Sequence, residues 1–449
     1  MIGKDKILST LKTAIKKSTA DQTEAIFIGG ENGLTRYANS TIHQNVSENN
    51  SKIYFRTILG KKIGVAITNS LKREDLKRAL DNAMEIAKNQ RENPDFVSLP
   101  SKQSYKKIKT HFKKTASFTP IQRAEKVKEI FEKAKKHDLD VAGSFSTAES
   151  EIAVVNSLGV ACYQPLTSSF INIVVMSGNS SGYSEFLTRD VTTVDVEKLA
   201  EVAIGKCLES KNPKGVEPGE YDVILEPAAL ANLIEWLNYI GFGSKPLQEK
   251  TSFMADRIGK KIMGDSISIY DDGNDESAMG FPFDFEGVPK KKVTIIQSGV
   301  AKGVVYDSLS ATKDKVKSTG HALTPDFSEG AIALNLFVKA GNSSIKKMIE
   351  KTKRGLLITR FHYINGYLDT RNALFTGMTR DGTFFIENGK IKHGIKNLRF
   401  TESMLKAFSN VVELSRDRKV INSWWEDVGC IVCPAVLIKK FKFTGKTEF

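Results

Sequence analysis

The sequence predicts an α+β protein: a duplicated N-terminal α+β unit followed by a large, mainly antiparallel β C-terminal domain. Three observations predict it. The order helix, strands, helix occurs twice before residue 212. A run of turn formers, Asn212-Pro213-Lys214-Gly215-Val216-Glu217-Pro218-Gly219, then closes that part of the chain. Beyond it, short apolar runs alternate with hairpin signals. With 449 residues, 40% apolar and 26% charged, the chain can bury large cores and is not a disordered one.

Residues 5–17 read as an amphipathic helix, with Ile7, Leu8, Leu11 and Ile15 on one stripe and Asp5 where the helix dipole favours an anion. A short apolar strand at 25–28 follows. Ile53-Tyr54-Phe55 and Gly64-Val65-Ala66-Ile67 then flank a hairpin turn at Gly60-Lys61-Lys62. A helix over 73–89 carries Leu76, Leu80, Ala83, Ile86 and Ala87 on its apolar stripe. Residues 96–117, rich in Lys and Ser, read as a linker. The second unit opens with a helix over 120–136 whose apolar face is Ile121, Ala124, Val127, Ile130, Phe131 and Ala134, with Thr119 as N-cap and Pro120 in the first turn. Strands are expected at 141–145, 152–155, 160–163 and 170–176, and a helix at 193–208. The two units align without gaps at an offset of 117, placing Asn39-Ser40 on Asn156-Ser157. The resulting boundaries are 1–95, a linker to 117, 118–212, and 220–449.

In the last region a strand at 221–225 precedes a helix at 227–237 that starts on proline. Hairpins are expected at Gln297-Ser298-Gly299 and at Glu387-Asn388-Gly389-Lys390, the second a strong Asn-Gly signature. A final strand pair is expected at 432–438 and 441–443.

Several function classes are excluded. No apolar stretch approaches the roughly 20 residues of a membrane-spanning helix, and no secretory signal opens the chain. Four cysteines do not make a disulfide framework, so a reducing, cytoplasmic setting is expected. The net charge is +14 (66 Lys and Arg against 52 Asp and Glu), and half of it lies in residues 101–140, with twelve bases against five acids. Without interleaved aromatics or a nucleic-acid motif, that run reads better as a solvated linker and helix face than as a nucleic-acid surface.

Of six histidines, the closest pair, His111 and His137, is 26 residues apart and none precedes a Glu, so no zinc-peptidase helix is present. Cys430-Ile431-Val432-Cys433 lacks a second ligand pair and sits in strand-like sequence, so it reads as two thiols on a core strand. Asp369, Arg371 and Arg380, with Thr370, Thr376 and Thr379, form either a substrate-facing loop or a solvated turn. Arg360 and His362 alternate around Phe361, which puts both on one face of a strand. No nucleophile elbow, P-loop or dinucleotide fingerprint occurs.

Asp284-Phe285-Glu286-Gly287-Val288-Pro289, the Ser298-Gly299 hairpin, and Lys317-Ser318-Thr319-Gly320-His321-Ala322 resemble the TldD/PmbA family. So does the later order Thr359-Arg360, Phe375-Thr376-Gly377, and Phe385-Ile386-Glu387-Asn388-Gly389. The resemblance spans essentially the whole chain. It implies two branches: TldD-type metallopeptidases with an HExxxH motif on the first helix of the C-terminal domain, and PmbA-type (TldE) chains that lack it and pair with a TldD-type subunit. Placed on Leu225-Glu226-Pro227-Ala228-Ala229-Leu230, the motif keeps only Glu226, with leucines where the histidines stand. The implied protein is a TldE-like subunit of a peptide-cleaving complex. It holds no cofactor itself, zinc or iron sits in the TldD-type partner, and extended or unfolded peptide is the substrate. A homodimer is a further option, and Glu226 is then a relic, a charge at a helix start, or a partner contact. Asp284, Glu286, His321 and Arg360 are the candidate cavity-lining residues, with Gly287, Thr319 and Gly320 from the same motifs. Two alternatives stand beside this reading: a self-sufficient hydrolase using Cys433 or His321, and a nucleic-acid-associated modulator, suggested by the basic run and by an older family name that invokes DNA gyrase.

Overall fold

A computed structural model describes residues 1–425 and 428–447. The first unit runs α1 (Lys4–Ile15), β1 (Gln22–Ala38), β2 (Thr41–Leu59), β3 (Lys62–Thr68) and α2 (Arg73–Asn89). A short helix, α3 (Lys113–Ala116), precedes the second unit: α4 (Pro120–Lys135), β4 (Asp140–Asn156), β5 (Ala161–Ser177), β6 (Ser180–Thr188) and α5 (Val196–Glu209). The six strands form one antiparallel sheet in the order β3-β2-β1-β4-β5-β6. One face of the sheet is packed by the helices, through Ile7, Leu11, Leu76 and Leu80 in the first unit and Val127, Ile130, Ala200 and Ala203 in the second. Period-two alternation sends Ile26, Tyr54, Ile152 and Val154 to the other face, against Phe281, Phe283 and Phe285 of the C-terminal domain.

The duplication has its register at 118 residues, one more than the sequence offset of 117. Phe27 pairs with Ile53, and Phe145 with Ile171, 118 further on in each strand (27 to 145, 53 to 171). Thr57 opposite Gly64 recurs as Val175 opposite Gly182. One residue matters because a single-residue slip exchanges the faces of a strand. The two glycines explain why the repeat is tight here. A Cβ on Gly64 would lie 2.0 Å from the carbonyl oxygen of Ala83 in α2, and one on Gly182 would lie 2.0 Å from that of Ala203 in α5.

Other differences follow from strand length. The expected strands at 141–145 and 152–155 are one strand, β4, and those at 160–163 and 170–176 are β5. The apolar run at 25–28 is part of the first half of β1, which has 17 residues. β6 was not expected. Ile121 and Ile86 are exposed rather than on the apolar faces. In α4 the inward place goes to Arg123, whose guanidinium donates to Thr35 Oγ1 (3.1 Å), Thr147 Oγ1 (2.8 Å) and the Phe118 carbonyl (3.2 Å). The basic run is partly neutralised on α4 itself, where Lys126 pairs with Glu129 and Lys128 with Glu132, while Lys133 reaches Glu197 and Glu201 of α5.

The C-terminal domain starts with β7 (Glu220–Leu225) and α6 (Pro227–Leu237), followed by a π-helical turn, Asn238–Phe242. Next come α7 (Ser244–Gln248), β8 (Ile269–Asp271), β9 (Val293–Gln297), β10 (Val300–Ala301), α8 (Ser308–Lys313), β11 (Asn335–Val338) and α9 (Ile345–Lys351). The chain ends with β12 (Arg354–Asp369), β13 (Leu374–Glu387), β14 (Lys390–Gly394), β15 (Leu398–Ser403), α10 (Met404–Ser409), β16 (Val411–Asn422) and β17 (Cys430–Lys446). Pairings β17-β15-β13-β12-β7 return to β17, so these five strands close into a barrel. Phe361, Phe400, Phe441 and Phe443 pack together from its strands, with ring centroids 4.9 to 6.2 Å apart. Among the strand pairings of the described residues, only β11–β17 and β12–β7 are parallel. The expected final strand pair is a single strand, β17, whose pairing with β7 shifts between Ile438 and Phe441, where Lys440 has φ 54°. Both expected hairpins form. Among the described residues no helix is long and apolar enough to cross a membrane.

Candidate functional site

The open face of the N-terminal sheet and the C-terminal domain enclose a cleft of about 360 Å3. Its floor is the middle of three strands: Gly29 to Asn32 of β1, Asn50 to Lys52 of β2, and Ala148 to Ser150 of β4. Its wall is apolar, with Phe285, Leu323, Phe327, Leu334 and Trp425. The Phe327 and Trp425 rings meet edge to face at 5.3 Å, and Phe327 is half exposed. Tyr54 donates to Asp326 (3.3 Å), which ties the floor to the wall. Glu31 and Glu149 face each other across β1 and β4. Glu149 is also 2.7 Å from His111 and 3.4 Å from the amino group of Met1. An apolar wall over a polar strand floor suits a ligand with apolar side chains and a polar backbone.

The residues singled out in the sequence lie around this cleft but mostly inside the protein. Asp284 is fully buried, and its carboxylate accepts from the backbone N–H groups of Glu286, Val288 and Ala322, each at 2.9 Å. Burial and Glu286 push its pKa up, and the amide donors oppose them. Asp284 therefore shapes the turn at Gly287 and does not line the cleft. Glu286 accepts from Arg56 (3.1 Å) and from the Ser308 backbone N–H (3.1 Å). Arg56 also meets Glu24 at 2.8 Å, so one guanidinium joins β1 and β2 to the C-terminal domain. His321 is buried with Nε2 2.8 Å from Asp271 and Nδ1 2.9 Å from the Thr319 hydroxyl. This carboxylate–imidazole–hydroxyl order has no open end, because Thr319 Oγ1 is taken up by the backbone of Tyr306. Gly320 lies between them in a turn against Pro289.

Arg360 is bound to Asp381 through Nε (2.7 Å) and Nη2, and its guanidinium lies 4.3 Å from the Tyr183 ring centroid. It thus joins β12 and β13 to β6. His362 does share its face: the Arg360 and Arg380 charges reinforce burial in lowering the His362 pKa. Of the polar cluster, Asp369 caps a short 3₁₀ turn, and Arg371 donates to the carbonyls of Lys250, Ser252 and Ala255. That part is a structural turn.

Glu226 precedes α6 as its N-cap without a side-chain cap bond, and it pairs with Lys206 of α5 at 2.6 Å. Leu225 is the last residue of β7, and Leu225 and Leu230 are both in the main hydrophobic core. The sequence placement of the motif is therefore corrected, because ligands there would have neither a helical frame nor access to the cleft. Cys430 and Cys433 are both buried on β17 and three residues apart, so they face opposite sides. Cys433 Sγ is 3.2 Å from the Pro227 carbonyl, and burial pushes both thiols up, Cys430 to about 12. Among the described residues no three His, Cys, Asp or Glu side chains converge to hold a metal ion.

Two groups escaped the sequence reading. Glu235 is the one charged residue of α6, and burial raises its pKa to about 8. Its carboxylate accepts from the Trp424 backbone, and the adjacent Trp236 meets the rings of Tyr239, Tyr367 and Trp424. A lone acid in an apolar helix was the available signal. The Arg56 cluster had none, since Arg56 and Glu286 are 230 residues apart in sequence.

Residues 218–445 match the PmbA/TldA metallopeptidase C-terminal domain, and residues 23–87 match PmbA/TldA metallopeptidase domain 1. The chain belongs to the TldD/PmbA family. It is 24% identical to the metalloprotease PmbA homologue of Buchnera aphidicola subsp. Acyrthosiphon pisum, over 98% of this chain and 97% of that one. It is also 24% identical to the metalloprotease TldD homologue of the same organism, over 85% and 82%. Equal identity to both does not choose between the branches of the TldD/PmbA family. The crystal structure of TldE from Thermococcus kodakarensis superposes with a TM-score of 0.89 at 22% identity, covering 98% of this chain and all of that one, which establishes the shared fold.

Proposed function

We propose that this TldD/PmbA-family chain is the subunit that receives and positions extended peptide in a peptide-cleaving complex, with metal and catalytic base supplied by a TldD-type partner. One observation carries the reading: no histidine occurs between Leu225 and Phe242, from the end of β7 through α6 and its π-turn. An HExxxH motif spaces its histidines five apart, and i and i+5 share a side only in a π-helical turn. In this chain α6 runs into such a turn at Asn238–Phe242, and Glu235 and Ile240, five apart, lie just before it and within it. We take that end of α6 as the counterpart of a metal-binding helix, with an acid and an aliphatic residue in place of two imidazoles. The cleft supports the peptide part of the reading, and the fold likeness to a TldE supports the branch.

The test is to purify this chain alone and with a TldD-type chain bearing HExxxH, then measure metal content and hydrolysis of unfolded peptides. The pair is expected to hold stoichiometric metal and cleave, and the single chain to do neither. Stoichiometric zinc or iron with unaided cleavage in the single chain overturns the reading.

A further inference from the structure

The 118-residue repeat contains an asymmetry. β5 pairs with β6 only from Ser169 onward, which leaves residues 161–168 beyond the end of β6. β2 likewise pairs with β3 only from Ile53 onward, which leaves 41–52 beyond β3. On β5 that edge is covered by the chain itself. Residues 105–112 run alongside it in the same direction, with no helix or strand assignment of their own. The Thr167 N–H donates to the Thr110 carbonyl (2.9 Å), Thr110 Oγ1 to the Pro165 carbonyl (2.7 Å), and the Phe112 N–H to Thr167 Oγ1 (3.1 Å). The Tyr105 hydroxyl reaches the Tyr163 backbone. Gln164 and Thr167, whose side chains bond residues 108–112, are buried.

The counterpart edge on β2, residues 43–50, makes no main-chain hydrogen bond outside the β1 ladder among the described residues. His43, Asn45, Ser47, Glu48, Asn49 and Asn50 are exposed. Neither Pro nor Lys, the usual guards of a free edge, occurs between 43 and 50. The edge leads directly into the cleft, whose floor includes Asn50, Ser51 and Lys52.

We propose that the outer edge of β2 at residues 43–50 binds an extended polypeptide, in the place that residues 105–112 take on β5. The occupant is recognised through its backbone, since the edge offers amides and small polar side chains rather than charged pockets. Its continuation past Asn50 lies between the strand floor and the Phe327–Trp425 wall. The inference rests on the peptide-receiving role proposed above and adds the site and the mode of binding.

Hydrogen exchange of the full chain tests it, with the acetylated and amidated synthetic peptide of residues 102–112 as probe. Saturating peptide is expected to slow amide exchange in 43–50 by roughly tenfold. The same peptide N-methylated at alternate amides is expected to leave 43–50 unchanged, and Ser47→Pro and Asn49→Pro each to weaken binding of the parent peptide. Absence of binding, protection confined to other segments, or equal protection by the N-methylated peptide overturns the proposal. So does protection of 43–50 that grows with protein concentration in the absence of peptide, which assigns the edge to a second copy of this chain. Cleavage by the reconstituted pair without slowing at 43–50 overturns this inference alone. Slowing at 43–50 in a chain that never supports a partner's cleavage overturns the subunit reading alone.

Discussion

Glu235 shows how one buried acid makes a testable pH signature. Its ordinary pKa of 4.5 rises to about 8 because α6 buries it away from water, with only the Trp424 backbone donor pulling the other way. A raised folded-state value means that the stability it contributes is complete below pH 4.5 and is lost as pH climbs through 8. Glu235→Gln is therefore expected to stabilise the protein by about 2 kcal/mol at pH 7 and by nearly nothing at pH 4. Urea unfolding at the two pH values decides it, and an equal gain at both would show that the effect is packing. Arg123 is legible in the same way only after folding. The helical stripe pointed to Ile121, yet a buried guanidinium with three neutral acceptors is the better solution where β1, β4 and α4 meet.

At the scale of elements, the twin glycines set the spacing of helix on sheet. Gly64→Ala and Gly182→Ala each drive a methyl group against a helix carbonyl 2.0 Å away. Each is expected to cost roughly 1–3 kcal/mol through displacement of α2 or α5, measured as a shift in the urea midpoint. If only one of the two variants is destabilised, the units are not structurally equivalent there. The α4 start is a capping box, with Thr119 and Gln122 each bonding the other's backbone N–H. Thr119→Ala is expected to lose about 1 kcal/mol, and Thr119→Ser to restore most of it, by the same measurement. The expected linker is better described as an element of the second unit. Its residues 105–112 bond the β5 edge, which its Lys-rich composition did not announce.

For the whole molecule, the Arg56 cluster is one of the contacts that couple sheet to barrel domain. Glu24, fully buried, is raised to about 7 by its desolvation, with Arg56 pulling the other way. Arg56→Met leaves Glu24 and Glu286 buried without their cation and is expected to cost roughly 3–5 kcal/mol. Adding Glu24→Gln is expected to recover part of that loss, and more of it at pH 8 than at pH 5, because only the ionised acid is penalised. Chemical denaturation of the single and double variants reads this out. Full additivity would show that the three side chains are not coupled.

The sequence by itself determined the class, the doubled unit, the placement of five long helices and both Asn-Gly and Ser-Gly hairpins. These depend on local periodicity and on turn geometry, which neighbouring residues dictate. It also carried the family, because the Glu-Gly and Ser-Thr-Gly-His segments lie in order along the chain. Tertiary structure alone decided that Asp284, Glu286 and His321 are interior ties. A polar residue reads the same in sequence whether it faces a cleft or three backbone amides. It likewise decided that Leu225 and Leu230 are core, that β17 closes a barrel with β7, and that one of two equivalent strand edges is covered and the other bare. Each of these depends on partners tens to hundreds of residues away, brought together only when the sheet and the barrel domain pack.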